Sequence, residues 1–359
     1  MKATRQVNCG GVLIGGGAPV SIQSMTNTDT RDPKATLAQI DRLAEAGCQI
    51  IRLAVPDMKA AEGFAEIRKL SPLPMVADIH FDYRLALAAI DAGADKIRIN
   101  PGNIGSEERV RAVLESAKSA RIPVRIGVNA GSLEKPLLEK YGRVCAEALC
   151  ESAQNAVEYA RSFGFEDIVV SLKSSDVAIN HKAHKLFRES SDLPMHIGLT
   201  EAGASEAAEM KSAVAIGALL LDGIGETVRV SLTGDPLREV ILAKKILAAA
   251  GVRRSGIDLV SCPTCGRTRV DLPSIALKVE KALAPLSERL AGEGRFIRVA
   301  VMGCEVNGPG EASGADFGVA CGTGCGLLIR NGEIIKRVDE EEICDQLIAL
   351  IEDDISGNK

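Results

Sequence analysis

The sequence predicts an α/β protein: a (β/α)8 TIM barrel over residues 1–250, followed by a smaller α+β domain over residues 251–359. Three observations carry this. Short apolar, β-branched runs alternate with amphipathic stretches between Pro19 and Ala250, the alternation of a barrel of about 250 residues. The runs number eight and no glycine-rich turn follows the first, which ranks a barrel above a doubly wound sheet. Beyond Gly251-Val-Arg-Arg-Ser-Gly256 the alternation stops, and separate strands, one long helix and a hairpin signal follow.

The runs are Val20–Met25, Ile50–Val55, Met75–Asp78, Lys96–Asn100, Val124–Asn129, Ile168–Leu172, Met195–Leu199 and Thr227–Ser231. Between them, Thr36–Ala46 places Leu37, Ile40, Leu43 and Ala44 at helical spacing, and Ser106–Ala120 reads the same way. Ala46-Gly-Cys-Gln-Ile-Ile-Arg52 echoes Ala92-Gly-Ala-Asp-Lys-Ile-Arg98. In each, a glycine suits the left-handed end of a helix, and a strand bearing an arginine follows. In the second domain Ile257–Val260 and Arg298–Met302 read as strands, and Pro273–Leu290 reads as a helix interrupted or ended near Pro285. Gly326–Ile329 and Glu333–Val338 flank Asn331-Gly332, a hairpin turn, and Glu340–Glu352 reads as a closing helix.

Hydrophobic content of 46% and charged content of 25% are those of a soluble globular protein. No apolar run is long enough to span a bilayer, and the polar start Met1-Lys-Ala-Thr-Arg-Gln6 is no signal peptide. No membrane association is expected. A net charge of −5, the absence of Trp and 3% aromatics argue against nucleic-acid binding. Ten cysteines without a secretion signal point to a reducing, cytoplasmic setting. Cys9, Cys48, Cys145 and Cys150 read as small buried hydrophobes. His181 and His184, in a polar helical stretch, are expected to face solvent.

In such barrels the active site lies at the C-terminal ends of the strands. Arg52, Arg98, Arg125 and Lys173 are cations within otherwise apolar strands. Burying one cation without a partner costs several kcal/mol, and a ring of them repels unless an anion binds. Guanidinium forks match phosphate oxygens in bidentate fashion, and lysine serves as a point charge. The set points to a doubly phosphorylated ligand. The competing reading pairs each cation with a nearby acid such as Asp57, Asp78 or Glu201.

The second domain carries Cys262 and Cys265 in Ser261-Cys-Pro-Thr-Cys-Gly266, then Cys304 and Glu311 in Met302-Gly-Cys-Glu-Val-Asn-Gly-Pro-Gly-Glu311. A C-x-x-C pair with a distant third cysteine selects zinc or an iron–sulfur cluster over hard cations. The glycine-rich Asn307-Gly-Pro-Gly310 lets backbone amides crowd around sulfur. Three thiolates plus a weaker oxygen ligand would leave one iron able to exchange that ligand for substrate.

Ordered motifs carry a family resemblance over almost the whole chain. They are Ile22-Gln-Ser-Met-Thr-Asn-Thr-Asp29, Ile97-Arg-Ile-Asn-Pro-Gly-Asn-Ile104, Val124-Arg-Ile-Gly-Val-Asn-Ala-Gly-Ser132, Gly198-Leu-Thr-Glu-Ala-Gly203, Ser261-Cys-Pro-Thr-Cys-Gly-Arg267 and Val301–Glu311. Together they resemble the 4-hydroxy-3-methylbut-2-enyl diphosphate synthases, iron–sulfur enzymes of the non-mevalonate isoprenoid pathway. The resemblance implies an oxidoreductase with a pterin-synthase-like barrel and a reductase-like cluster domain. It implies a [4Fe–4S] cluster on Cys262, Cys265 and Cys304 with Glu311 as fourth ligand. It also implies reductive ring opening of 2-C-methyl-D-erythritol 2,4-cyclodiphosphate. Arg52, Arg98, Arg125, Asn129, Lys173 and Ser231 then fall at diphosphate-binding positions, and Glu201 is the acid near the substrate carbon chain. Further implications are flavodoxin or ferredoxin as electron donor and a homodimer whose active site is shared between chains. One departure is Cys321-Gly-Thr-Gly-Cys325, where the family usually has a cysteine-free glycine-rich turn. A pterin-binding barrel enzyme with a structural zinc domain is the alternative reading.

Overall fold

The computed structural model describes residues 4–357, except for the side chains of residues 101 and 102. Residues 1–3, the start of the polar segment that argues against a signal peptide, lie outside the described residues, as do the side chains at 101 and 102 of the Ile97–Ile104 motif. The chain divides into two compact units, Met1–Arg253 and Arg254–Lys359.

The first unit opens with a hairpin that the sequence reading missed, β1 (Gln6–Cys9) antiparallel to β2 (Val12–Gly15). Then come β3 (Ser21–Met25), β4 (Ile50–Ala54), β5 (Met75–Asp78), β6 (Lys96–Ile99), β7 (Val124–Asn129), β8 (Ile168–Lys173), β9 (His196–Ile197) and β10 (Thr227–Val228). These eight are parallel in the order β8-β7-β6-β5-β4-β3-β10-β9. A parallel bridge from Val170 to Met195, just before β9, brings the two ends of the sheet together into a barrel.

A long helix follows each barrel strand: Pro33–Glu45, Met58–Leu70, Tyr83–Asp91, Glu107–Ala120, Ala146–Ser162, Val177–Ser190, Glu206–Leu221 and Pro236–Ala249. Aspartates fix many of the starts. Asp32, Asp57, Asp82, Asp176 and Asp235 each accept an N–H of the first turn, satisfying donors that have no partner within the helix. Gly47 and Gly93 take φ of +103° and +86° just past two helix ends, as the internal echo predicted.

Alternate strand residues separate two environments. One set, including Ile22, Ile51, Leu53, Ala77, Ile97, Ile99, Val124, Ile126, Val170 and Leu172, packs in the large apolar core with helix residues such as Ile40, Phe64 and Leu149. The other set lines the barrel axis. At one end Ile50, Val76 and Val169 pack on Val7, Cys9 and Ile14, so the β1–β2 hairpin plugs the N-terminal end. Beyond that plug the axis is polar.

Strands β9 and β10 are shorter than the sequence runs suggested. Beyond Val228 the chain still donates from Arg229 N–H to the Ile197 carbonyl, but the Leu232 amide donates to the Glu239 carboxylate instead of a strand.

The second unit holds one five-stranded sheet in the order β11 (Gly256–Ser261), β12 (Phe296–Met302), β13 (Phe317–Gly322), β14 (Cys325–Arg330) and β15 (Glu333–Asp339). The first three are parallel and the last two antiparallel. Helices Leu272–Gly292 and Ile343–Ile355 cover one face through Val279, Leu283, Leu286, Leu347 and Ile351, against Val299, Val301, Phe317 and Val319. The short helix Gly308–Ala312 covers the other face, with Ala312 against Ala300, Met302 and Ala320. Asn331 and Gly332 both take positive φ, as the hairpin reading requires. Strand β13 was not anticipated. The expected break at Pro285 is corrected: Leu272–Gly292 runs through it as one helix. Buried Leu283, Leu286 and Leu290 lie on both sides of the proline, and their packing outweighs a cost of about 3 kcal/mol.

Candidate active site

Arg52, Arg98, Arg125 and Lys173 sit on neighbouring strands and meet at the upper axis of the barrel. Asp78, buried on β5, is their common counter-ion. It lies 3.4 Å from Arg98 and 3.9 Å from Arg52. Exposed His80 reaches it from above at 3.3 Å. Burial alone would raise the Asp78 pKa; Arg52, the His80 contact, Arg98 and Arg125 overcome that and hold it far below the ordinary carboxylate range. Asp57 is not a partner of these cations, because it caps its helix and pairs with Arg31 at 2.7 Å.

One carboxylate does not neutralise this set. Arg125 is 1% exposed, and its Nε and Nη1 atoms have no hydrogen-bond partner among the described residues. Burial, then Arg52 and Arg98, push its pKa well below the ordinary arginine value. Lys173 is pushed down in the same way, by burial and then by Arg125 and Arg229. Arg52 falls to about 10, with burial the main cause, and donates to the Met25 thioether sulfur at 3.1 and 2.8 Å.

Arg229 on the segment after β10 joins the group. It lies in the sequence run Thr227–Ser231 but was not among the candidate cations. It is paired with buried Glu239 at 3.2 Å, and Glu239 also accepts from Ser24 Oγ and Leu232 N–H. Its signal was the Arg-x-Ser spacing with Ser231 in a strand run, but helix-borne Glu239 gave no hint of its role.

Two glycines make room for the cations. A Cβ on Gly127 would lie 2.9 Å from Arg98 Nε, and one on Gly198 would lie 2.3 Å from the Arg229 carbonyl and 3.1 Å from Lys173 Nζ. Asn129 ends β7 and half-buried Ser231 follows β10, both at the same C-terminal rim. Exposed Glu201 follows β9 with φ of +56°. That conformation is rare and costly for a non-glycine residue and clusters at functional sites.

His181 and His184 lie on helix Val177–Ser190. His181 pairs with Asp222 at 2.8 Å. The expectation that His184 faces solvent is corrected: it is fully buried and bonds the Asn180 carbonyl at 2.7 Å, one helical turn back. Its helix turns that side inward. Cys9, Cys48 and Cys150 are buried as expected, and Cys145 caps a helix through its sulfur.

In the second unit the cysteine sulfurs sit among N–H donors. Cys304 precedes the turn that leads into helix Gly308–Ala312, and the amides of Asn307, Val306 and Gly308 lower its pKa. The amide and guanidinium of Arg267 lower that of Cys265. Gly303 N–H donates to Cys262 Sγ at 3.2 Å. Exposed Glu311 is on the Gly308–Ala312 helix, and the charges bearing on Arg267 are those of Cys265, Cys304 and Glu311. Donors of this kind stabilise thiolates and sulfide, and the donor set suits an iron–sulfur centre. Among the described residues, no three His, Cys, Asp or Glu side chains could grip a single metal ion.

Gly322 and Cys325 pair to close the β13–β14 hairpin around Thr323 and Gly324, with Cys321 opposite Gly326. Cys321 is fully buried, and burial pushes its thiol up to about 12. It is a protonated core residue.

Residues 4–244 match the GcpE TIM-barrel domain, and residues 258–353 match the GcpE protein C-terminal domain. The chain belongs to the GcpE family. Among its GcpE relatives, "4-hydroxy-3-methylbut-2-en-1-yl diphosphate synthase (flavodoxin)" of Geobacter sulfurreducens is 54% identical over 98% of each chain. The protein of the same name from Clostridium acetobutylicum is 54% identical over 97% of this chain and 98% of its own. The first unit has the fold of more distant barrels. The dihydropteroate synthase of Yersinia pestis superposes with a TM-score of 0.50 at 12% identity, over 68% of this chain and 97% of its own. A truncated 3-deoxy-D-arabino-heptulosonate 7-phosphate synthase of Thermotoga maritima gives 0.50 at 17% identity, over 70% and 94%. Like its GcpE relatives, the chain is an oxidoreductase.

Proposed function

We infer how the residues divide the work of the GcpE reaction, the conversion of 2-C-methyl-D-erythritol 2,4-cyclodiphosphate to 4-hydroxy-3-methylbut-2-enyl diphosphate. Two electrons and a proton enter, a water leaves, and the bound anion gains a negative charge as the ring opens. One observation carries the assignment: Arg52, Arg98, Arg125, Lys173 and Arg229 converge at the barrel rim with Asp78 and Glu239 as their buried counter-ions among the described residues. The excess positive charge suits a diphosphate and suits the more highly charged product still better.

Arg52, Arg98, Arg125 and Lys173 bind the phosphates, with Asn129 and Ser231 as hydrogen-bonding partners at the rim. This clamp fixes the carbon skeleton in position, the part of catalysis that orientation supplies. Glu201, with its strained backbone conformation after β9, would pass a proton to the departing oxygen. Cys262, Cys265 and Cys304 would hold a [4Fe–4S] cluster, with Glu311 as a harder and weaker fourth ligand. When bound, that cluster supplies electrons singly and a Lewis-acidic iron.

Flavodoxin or ferredoxin is the proposed donor; the relatives' names carry flavodoxin. A homodimer with a shared active site is proposed as well. Met210, Val214 and Leu221 are more than half exposed along helix Glu206–Leu221. They flank an apolar cavity of about 320 Å³ lined by Ala213, Gly217, Leu242 and Ile246, a surface suited to a second copy. All ten cysteines are free, which supports a reducing, cytoplasmic setting. No helix among the described residues is long and apolar enough to cross a membrane.

The test is anaerobic. Arg52→Ala, Arg98→Ala and Arg125→Ala should each weaken cyclodiphosphate binding by about 2–3 kcal/mol in calorimetry, with the visible spectrum unchanged. Normal binding by all three would move the diphosphate site elsewhere.

A further inference from the structure

Below the phosphate-facing cations, polar side chains on four strands face the barrel axis without hydrogen-bond partners among the described residues. Thr227 on β10 is in register with Ser21 on β3 and with His196 on β9. Three adjacent strands thus present three polar side chains at one level. Gln23 lies two residues further along β3, on the same face. Lys96 on β6 is two residues before Arg98, and Arg98 is in register with Arg125 on β7. Ser21, Gln23, Lys96, His196 and Thr227 are all at most 1% exposed. Ser21 Oγ, both amide atoms of Gln23, Lys96 Nζ, both ring nitrogens of His196 and Thr227 Oγ1 have no hydrogen-bond partner among the described residues.

The same is true of Arg125 Nε and Nη1. These residues all face one barrel axis by strand alternation and register, and the charges bearing on His196 are those of Arg125, Lys173, Lys96 and Arg52. The space is closed at one end by the apolar plug of Val7, Cys9 and Ile14. Arginine does not shed its proton in proteins. A buried guanidinium beside other cations must therefore be solvated by something, and the donors and acceptors beneath it are too many and too well aligned to be left unpaired. A polar space with several partners per site is what ordered internal water requires.

We propose that the barrel axis holds a cluster of ordered waters on Ser21, Gln23, Thr227, His196 and Lys96, and that this hydrated floor solvates Arg125 and aims it at the diphosphate. The floor residues are positioning residues: they act through water and through Arg125, not on the substrate. Neutral His196, its pKa held well below the ordinary value by burial and by Arg125, offers an acceptor without adding charge. The inference rests on the diphosphate reading of the rim.

Gln23→Leu and Thr227→Val keep size and remove the water partners. In unreduced holoenzyme, where no turnover occurs, each should weaken cyclodiphosphate binding about tenfold through loss of a hydrogen-bonded support. Iron content and circular dichroism should match wild type, and in turnover KM should rise more than kcat falls. Thr227→Ser should restore affinity. Arg125→Gln is run in parallel. If it binds normally, the diphosphate reading itself fails. If it loses binding while Gln23→Leu and Thr227→Val bind as wild type, the floor is overturned and the rim assignment stands. Should those two variants not fold, a high-resolution crystal structure of the wild type decides. Waters within hydrogen-bond distance of Arg125 Nε and Nη1 support the floor. Protein groups or apolar packing against those atoms overturn it.

Discussion

Lys96 shows most directly how single side chains feel this barrel. It is fully buried, and burial lowers its pKa from 10.5 to about 8. The groups that bear on it are Cys9 on the plug, Arg125 and Arg52; neighbouring Asp95 turns away to Arg68 and the Met75 amide. Below pH 8 the ammonium is charged in folded and unfolded chains alike, and its burial costs stability. Between about 8 and 10.5 the unfolded chain keeps a proton that the folded chain has lost, so stability rises with pH. Lys96→Met should remove that rise and be more stable than wild type on the acid side, by on the order of 3 kcal/mol. Urea unfolding on either side of the window measures it.

Cys321 makes a different case at the same scale. As a buried, protonated thiol, Cys321→Ser should leave iron content and rate nearly unchanged. Cys262→Ser, Cys265→Ser and Cys304→Ser should each lose iron, and Glu311→Cys should keep the iron but lose most turnover. Iron analysis and visible spectroscopy separate these. A cluster that needs Cys321 and tolerates loss of Glu311 would sink the fourth-ligand assignment.

At the scale of elements, the rim depends on how closely β8, β9 and the segment after β10 approach. Gly198 permits that approach, since a Cβ there would collide with the Arg229 carbonyl at 2.3 Å. Backbone cannot yield as a flexible side chain does. Gly198→Ala should cost about 1–3 kcal/mol in unfolding experiments, the usual range for overpacking, and should weaken cyclodiphosphate binding because Lys173 Nζ and Arg229 are displaced together. Wild-type affinity in a folded Gly198→Ala protein would show that the strands tolerate the shift. Pro285 teaches the converse. A local rule predicts a broken helix, yet packing on the sheet through Leu283 and Leu286 keeps it whole.

For the whole molecule, the apolar stripe along helix Glu206–Leu221 sets the expected assembly. Exposed contiguous apolar surface of this kind marks interaction sites. If the proposed dimer forms through this stripe, a charge in its centre, Val214→Glu, should leave a monomer in sedimentation at micromolar protein where wild type sediments as a dimer. Turnover should fall with it if the active site is shared between chains, while cyclodiphosphate binding to each barrel should persist. An unchanged dimer would place the interface elsewhere.

The sequence by itself determined the barrel, its strand runs and the cysteine positions, because period-two and helical patterns are local properties. Met75–Asp78 and Val124–Asn129 begin and end where the runs do. It also picked out Arg52, Arg98, Arg125 and Lys173, since cations inside apolar strands stand out in one dimension. Only the tertiary structure decided their counter-ions. Asp78 serves two arginines from the intervening strand and Glu239 reaches Arg229 from a helix, pairings that no sequence spacing encodes. It decided that His184 is buried, that β1–β2 plugs the axis, and that Ser21, Thr227 and His196 share a level. Those facts depend on strand register and barrel closure, which bring together residues far apart in the chain.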